Sequence, residues 1–245
     1  MLKILPLALI AIVIGVAATE YQSPFEIPKE LQLDANAMTT EQSAQLETVK
    51  NENARKHHAI MGGIIGAVFA GCLALGGSLL AKRGIPVATL SGFILGGVGG
   101  AVGGYASTYL LHYFRVHEQD QFIEAISIHG AFFVPVAIAL ALALIISRAM
   151  SITSAISLVI VAAIGAGMYP LLAAIIFPLL QSDKFPPDGS ANRALWLALP
   201  ILFTAGVMIR QQPKTNTSDS AKVEDQKVPA TEPESDDDDG PGDES

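Results

Sequence analysis

The hydrophobic residues of this chain fall in six runs, at 1–18, 59–81, 87–111, 122–146, 152–180 and 194–209, with polar connectors between them. The four runs from 59 to 180 each exceed the ~20 residues that carry a helix across about 30 Å of hydrocarbon. None of them holds an Asp, Glu, Lys or Arg in mid-span. In lipid every backbone polar group must find its partner within the protein, so runs of this length are helical if they span at all. The pattern predicts an all-α, polytopic transmembrane helical bundle, of five spans plus a cleaved signal or of six spans. The last run, 194–209, has Trp196 near its start and Pro200 inside, and is marginal in length.

The first run leaves two readings open. Lys3, a short apolar core and the ending Val16-Ala17-Ala18 suit a signal peptide cleaved after Ala18. The same residues read equally as a first transmembrane helix, although they are short for one. Either way the polar segment 19–58 lies outside the cytoplasm. From Thr40 onward Ala44, Leu46 and Val49 alternate with charged residues as in a weak surface helix leading into the membrane. Pro170 and Pro178 are expected to bend or shorten the run at 152–180.

Glycine organises the middle of the chain. Residues 92–104 contain seven glycines, and Gly92, Gly96, Gly100 and Gly104 recur at a spacing of four, with Gly99 and Gly103 beside them. In a soluble helix each would cost roughly 1 kcal/mol against alanine. Between membrane helices such a row clears one face of side chains and lets two backbones approach. The preceding run repeats the device with Gly62, Gly66 and Ala70, and with Gly63, Ala67 and Gly71. The two runs, joined by Lys82-Arg83-Gly84-Ile85-Pro86, predict a tightly packed antiparallel hairpin over about 59–108. It resembles the glycine-zipper hairpins of many bacterial envelope proteins, a packing motif shared by unrelated proteins that implies no activity. The glycine face can serve packing within one subunit, self-association, or the lining of a pore or gate.

Charge changes the picture at one end only. The chain carries a formal charge of −8, yet residues 1–210 are neutral, and all of the excess lies in 211–245. That tail, ending in Asp236-Asp237-Asp238-Asp239 and Asp243-Glu244, cannot bury a core, and is expected to be a disordered acidic C-terminal tail. Lys82-Arg83, Arg148, and Arg210 with Lys214 fall in alternate connectors, which puts those connectors and the tail in the cytoplasm. Arg55 and Lys56 argue the other way. Cys72, alone and inside an apolar run, excludes an intramolecular disulfide.

Little else carries chemistry. His57, His58, His112, His117 and His129 all fall toward the outer side, with Glu118, Asp120 and Glu124. Imidazole and carboxylate suit zinc, and histidine titrates near neutral pH. The five include no His-Glu-x-x-His and no His-x-x-x-His, and with Tyr105, Tyr109, Tyr113 and Trp196 they form an ordinary interfacial belt. His129, inside a span, is the sharpest of the group. The lack of deep charges counts against a proton pump or ion-coupled carrier. No phosphate-binding loop, serine-hydrolase elbow or basic aromatic patch occurs, so no cofactor and no nucleic acid is expected. The expectation is a multi-pass protein of a bacterial-type cytoplasmic membrane, with the bilayer and a homo-oligomer or membrane-protein partner as its contacts. A non-enzymatic scaffold or assembly component comes first among roles, a small-solute channel or transporter second, and a metal-dependent membrane enzyme last.

Overall fold

The structure, a computed structural model, describes residues 4–21, 23–32, 38–117, 120–178 and 184–211. The expected disordered tail, Gln211 apart, lies outside the described residues. Among them are six α-helices and no strand: α1 (Ile4–Thr19), α2 (Thr40–Ala81), α3 (Ile85–Val116), α4 (Gln121–Ile146), α5 (Ile152–Ile176) and α6 (Ser190–Arg210). Helices α2 to α6 are long and apolar enough to cross a membrane, and α1 is an apolar helix of 16 residues.

Local chemistry sets the helix ends. The polar stretch from Thr40 continues without a break into the apolar run from Ala59, making α2 a single helix of 42 residues. A capping box starts it: Gln42 N–H donates to Thr39 Oγ1 at 3.2 Å, and Thr39 N–H donates to Gln42 Oε1 at 3.0 Å. Pro86 lies in the first turn of α3, where a missing N–H costs nothing, so the connector from α2 is only 82–84. Pro170 stays within α5, but the helix stops at Ile176, ahead of Pro178. A residue preceding proline is driven out of the helical region. At the start of α6, 190–193 are already helical, which moves Asn192 and Arg193 out of the expected loop.

Consecutive helices from α2 to α6 pack side by side, α1 lies against both α2 and α6, and α2 also touches α4 and α6. Phe69, Leu73, Phe132, Phe133, Leu140 and Leu144 are fully buried where α2 and α4 meet the rest. Helix α1 buries Ile4, Ala8 and Ala11 in this packing. A Cβ on Gly76 would stand 2.8 Å from Ile4 Cγ1, and one on Gly15 would stand 2.8 Å from Leu197 Cδ1. Arg193 pairs with Glu20 just past the end of α1.

The closest contact in the bundle lies between α2 and α3. A Cβ on any of Gly62, Gly66, Gly96 or Gly100 would overlap a carbonyl oxygen of the facing helix. At one end of the row a Cβ on Gly92 would stand 2.8 Å from the carbonyl oxygen of Ala70. At the other, Gly104 lies against the carbonyl of His58. Gly99 and Gly103 depart from the expected shared face. A Cβ there would stand 2.7 Å from Pro135 O and 2.6 Å from Phe132 O respectively, both on α4. Three residues on a helix turn the direction by about 60° from a four-residue row, enough to address a second neighbour. Helix α3 therefore meets α2 with one row of glycines and α4 with another.

The same end of the bundle holds the 82–84 and 147–151 turns. Gly84 has φ of +57° and lies so close to the Ser147 carbonyl that a side chain would overlap it, so both its backbone angle and its surroundings require glycine.

Gly100 and Gly97 are three residues apart and should behave oppositely. At Gly100 a methyl group meets backbone on three sides, with Gly66 Cα at 2.9 Å. At Gly97 its nearest neighbour is Ala67 Cβ at 3.7 Å, an ordinary contact. Gly100→Ala should lower stability by about 1–3 kcal/mol through overpacking. Gly97→Ala should be neutral or raise it, by up to about 1 kcal/mol, through helix propensity. Thermal unfolding of the two variants in one detergent checks the contrast; equal effects would place the seam elsewhere.

Candidate functional site

Where the polar half of α2 joins its apolar half, side chains from five elements converge into a buried polar and aromatic cluster. His57 and His58 stand just before Ala59. His58 Nδ1 lies 2.8 Å from Thr108 Oγ1 on α3, and the Thr108 hydroxyl donates to Gly104 O at 2.9 Å. That hydroxyl proton is committed to the carbonyl, so His58 Nδ1–H is the donor to Thr108. Gly104 makes the contact available by bringing the α3 backbone against that of His58.

An aromatic series runs inward from there. Tyr21 stacks on His57 at 6.0 Å between centroids, and His57 stands 5.4 Å from His58. Phe185, from the segment before α6, sets its ring edge to face against His58 at 5.4 Å. It also meets Phe132 at 5.4 Å and Trp196 at 5.6 Å. Trp196 lies 6.1 Å from His129, whose ring meets Tyr169 of α5 edge to face at 4.7 Å. Tyr169 donates its hydroxyl hydrogen to Asn192 Oδ1 at 2.8 Å. His129, Tyr169, Asn192 and Trp196 all have no exposed surface.

Among the described residues Asn192 Nδ2 and Trp196 Nε1 are buried donors without a hydrogen-bond partner. They are four residues apart and so share one face of α6. Burial without a partner costs such groups roughly 1–3 kcal/mol each. Nearby, Ser107 donates to Ile128 O at 2.8 Å, tying α3 to α4. Glu124 is buried in the first turn of α4, with Arg115 Nε 3.8 Å away across the turn.

The five histidines divide. His57, His58 and His129 belong to the aromatic series. His117 is exposed, stacks on Tyr113 at 4.2 Å, and has Nδ1 2.8 Å from Tyr113 O. His112 lies on α3, half-buried, and joins no ring contact. Among the described residues no group of three His, Cys, Asp or Glu side chains is placed to hold a metal ion. The residues that sequence reasoning did not single out are Thr108, Phe132, Tyr169, Phe185 and Asn192. Asn192, one helical turn before Trp196, lies upstream of the apolar run that begins at Ala194, within the helix that begins at Ser190.

No protein family, no curated protein and no solved structure matches this chain.

Burial, with the charge of neighbouring His57, pushes the His58 imidazole down to about 4, and burial alone lowers that of His57. A histidine whose folded pKa is depressed favours the folded state only while it is neutral. Its contribution is complete above the ordinary value of about 6.5 and is lost as pH falls from there toward 4. Thermal stability should therefore drop between pH 7 and pH 5. His58→Gln, which does not titrate, should remove the larger part of that slope. An unchanged slope in the variant would assign it to other groups.

Proposed function

We propose that the protein is a non-enzymatic membrane scaffold that holds a rigid helical arm away from the bilayer. The observation that carries this is the continuity of α2. At 1.5 Å per residue its 42 residues extend about 63 Å, twice the hydrocarbon thickness. The apolar part from Ala59 takes up the membrane, and the part from Thr40 to His58 reaches roughly 28 Å beyond it. A helix that long in water is marginal by itself, but here its base is clamped. Arg55 lies over the Tyr109 ring of α3 at 5.2 Å, and Asn53 Nδ2 donates to Glu26 O at 3.3 Å. The glycine-packed hairpin then holds the arm's direction.

The orientation that fits places the arm outside the cytoplasm, since Lys82, Arg83, Arg148 and Arg210 share the opposite end. Helix α1 serves as a retained element of the bundle rather than a discarded signal; the burial of Ile4, Ala8 and Ala11 against α2 and α6 supports this. A second role, passage of a small polar solute, is favoured by one observation, the unpartnered donors Asn192 Nδ2 and Trp196 Nε1 inside the bundle.

Photocrosslinkers at the exposed arm positions Glu41, Gln45 and Glu47 should give one discrete adduct in native membranes, either a partner protein or a second copy. Asn51→Pro, which breaks the arm at a cost of about 3 kcal/mol, should abolish the adduct and leave the bundle membrane-inserted. No adduct from any arm position, together with solute-dependent swelling of proteoliposomes that Trp196→Phe alters, would replace scaffolding with transport. Intact-mass measurement of the membrane-extracted protein should find residues 1–18 still attached.

A further inference from the structure

At the basic end of the bundle, α4 and α5 diverge from the 147–151 turn and leave a groove of about 240 Å³ between them. Ala141 and Ala155 form its buried floor, and Ile138, Leu142, Ile156 and Ile160 form exposed walls, with no polar lining. Its volume falls below the ~300–1,000 Å³ of typical small-molecule pockets, and an elongated apolar slot between two membrane helices fits a hydrocarbon chain. The turn that joins the two helices carries Arg148, which is exposed and makes no ion pair among the described residues. The described residues of this end include Lys82, Arg83, Arg148 and Arg210 and no acidic side chain.

Arg148 stands at a costly position. Its φ is +57°, the left-handed conformation that ends α4, with Ala149 N–H donating to Leu144 O at 2.9 Å and Arg148 N–H to Ile145 O at 2.9 Å. Glycine is the residue suited to that conformation. An arginine accepts the strain and puts a guanidinium, a planar donor fork matched to phosphate, on the turn between Ile145 and Ile152, the last and first lining residues of α4 and α5.

We propose that this groove is a binding site for an anionic phospholipid, one acyl chain lying on Ala141 and Ala155 and the phosphate held by Arg148. Both halves of the ligand are needed to account for the site. Free phosphate would leave the slot unfilled, and the chain's own acidic tail offers charge but only short, isolated aliphatic side chains such as Val223 and Val228.

The test is native mass spectrometry of the full-length protein in detergent, offered equal amounts of dioleoyl phosphatidylglycerol and dioleoyl phosphatidylcholine. Phosphatidylglycerol adducts should be favoured by about fivefold, the contribution of one basic residue beside an anionic headgroup. Arg148→Gly should erase that preference while raising the thermal midpoint in phosphatidylcholine, because it relieves the left-handed strain. Loss of binding would thus be separated from loss of fold. Glycerol phosphate at millimolar concentration should leave the adducts in place. The proposal is overturned if wild type retains both lipids equally, if Arg148→Gly keeps the preference, or if Lys82→Ala/Arg83→Ala removes it instead. Displacement by glycerol phosphate would overturn it too, by reducing the site to an anion site.

Discussion

The distance between α2 and α3 is set by backbone meeting backbone, and most other contacts in the bundle follow from it. Removing side chains at Gly62, Gly66, Gly96 and Gly100 brings peptide carbonyls against the facing helix. In lipid there is no hydrophobic gain from burying leucine against leucine, so this close dispersion contact is what holds two such helices together. With that spacing set, Gly104 meets His58 and the Thr108 hydroxyl comes within reach of the imidazole. On its second glycine row α3 accepts α4, and α4 in turn carries Phe132, Phe133 and His129 into the centre.

The bundle is asymmetric along the membrane normal. One end is closed by short turns with strained or left-handed residues, Lys82, Gly84 and Arg148, and carries only basic charge among the described residues. The other end carries the arm of α2, the segment that brings Phe185 inward, and the buried polar and aromatic cluster. Among the described residues the acidic groups lie there, with Glu124 drawn below the surface. Lipid contact and polar chemistry are thus kept apart: the apolar slot between α4 and α5 lies toward the basic end, and the unpartnered donors of α6 lie near the other.

Reading the candidate site in the sequence reached part of it. His58 and His129 are visible because ionisable residues at or within apolar runs attract notice. Tyr169 and Phe132 are not, since an aromatic residue in an apolar stretch has no feature that separates core packing from a polar contact; Phe185 stands in a polar connector, where nothing local says that it turns inward. Asn192 was hidden by a helix boundary: the run of apolar residues begins at Ala194, but the helix begins at Ser190. The continuity of α2 was hidden for a similar reason. Composition changes at Ala59 and hydropathy marks an end there, whereas the backbone hydrogen-bond ladder continues because nothing in 40–58 breaks it.

The sequence by itself determined the helical class, the positions of the long apolar runs, the concentration of net charge in the tail, and the rows of glycine that admit close packing. Those are properties of single segments, and hydropathy, length and residue size suffice to read them. Which row meets which neighbour was decided only by the tertiary structure. Gly96 and Gly100 turn to α2, and Gly99 and Gly103 to α4, because a helix offers several faces and only the three-dimensional arrangement selects among them. The same holds for the cluster around His58 and Trp196. Its members come from elements far apart in the chain, and a contact between distant residues depends on helix rotation and depth that no local pattern encodes.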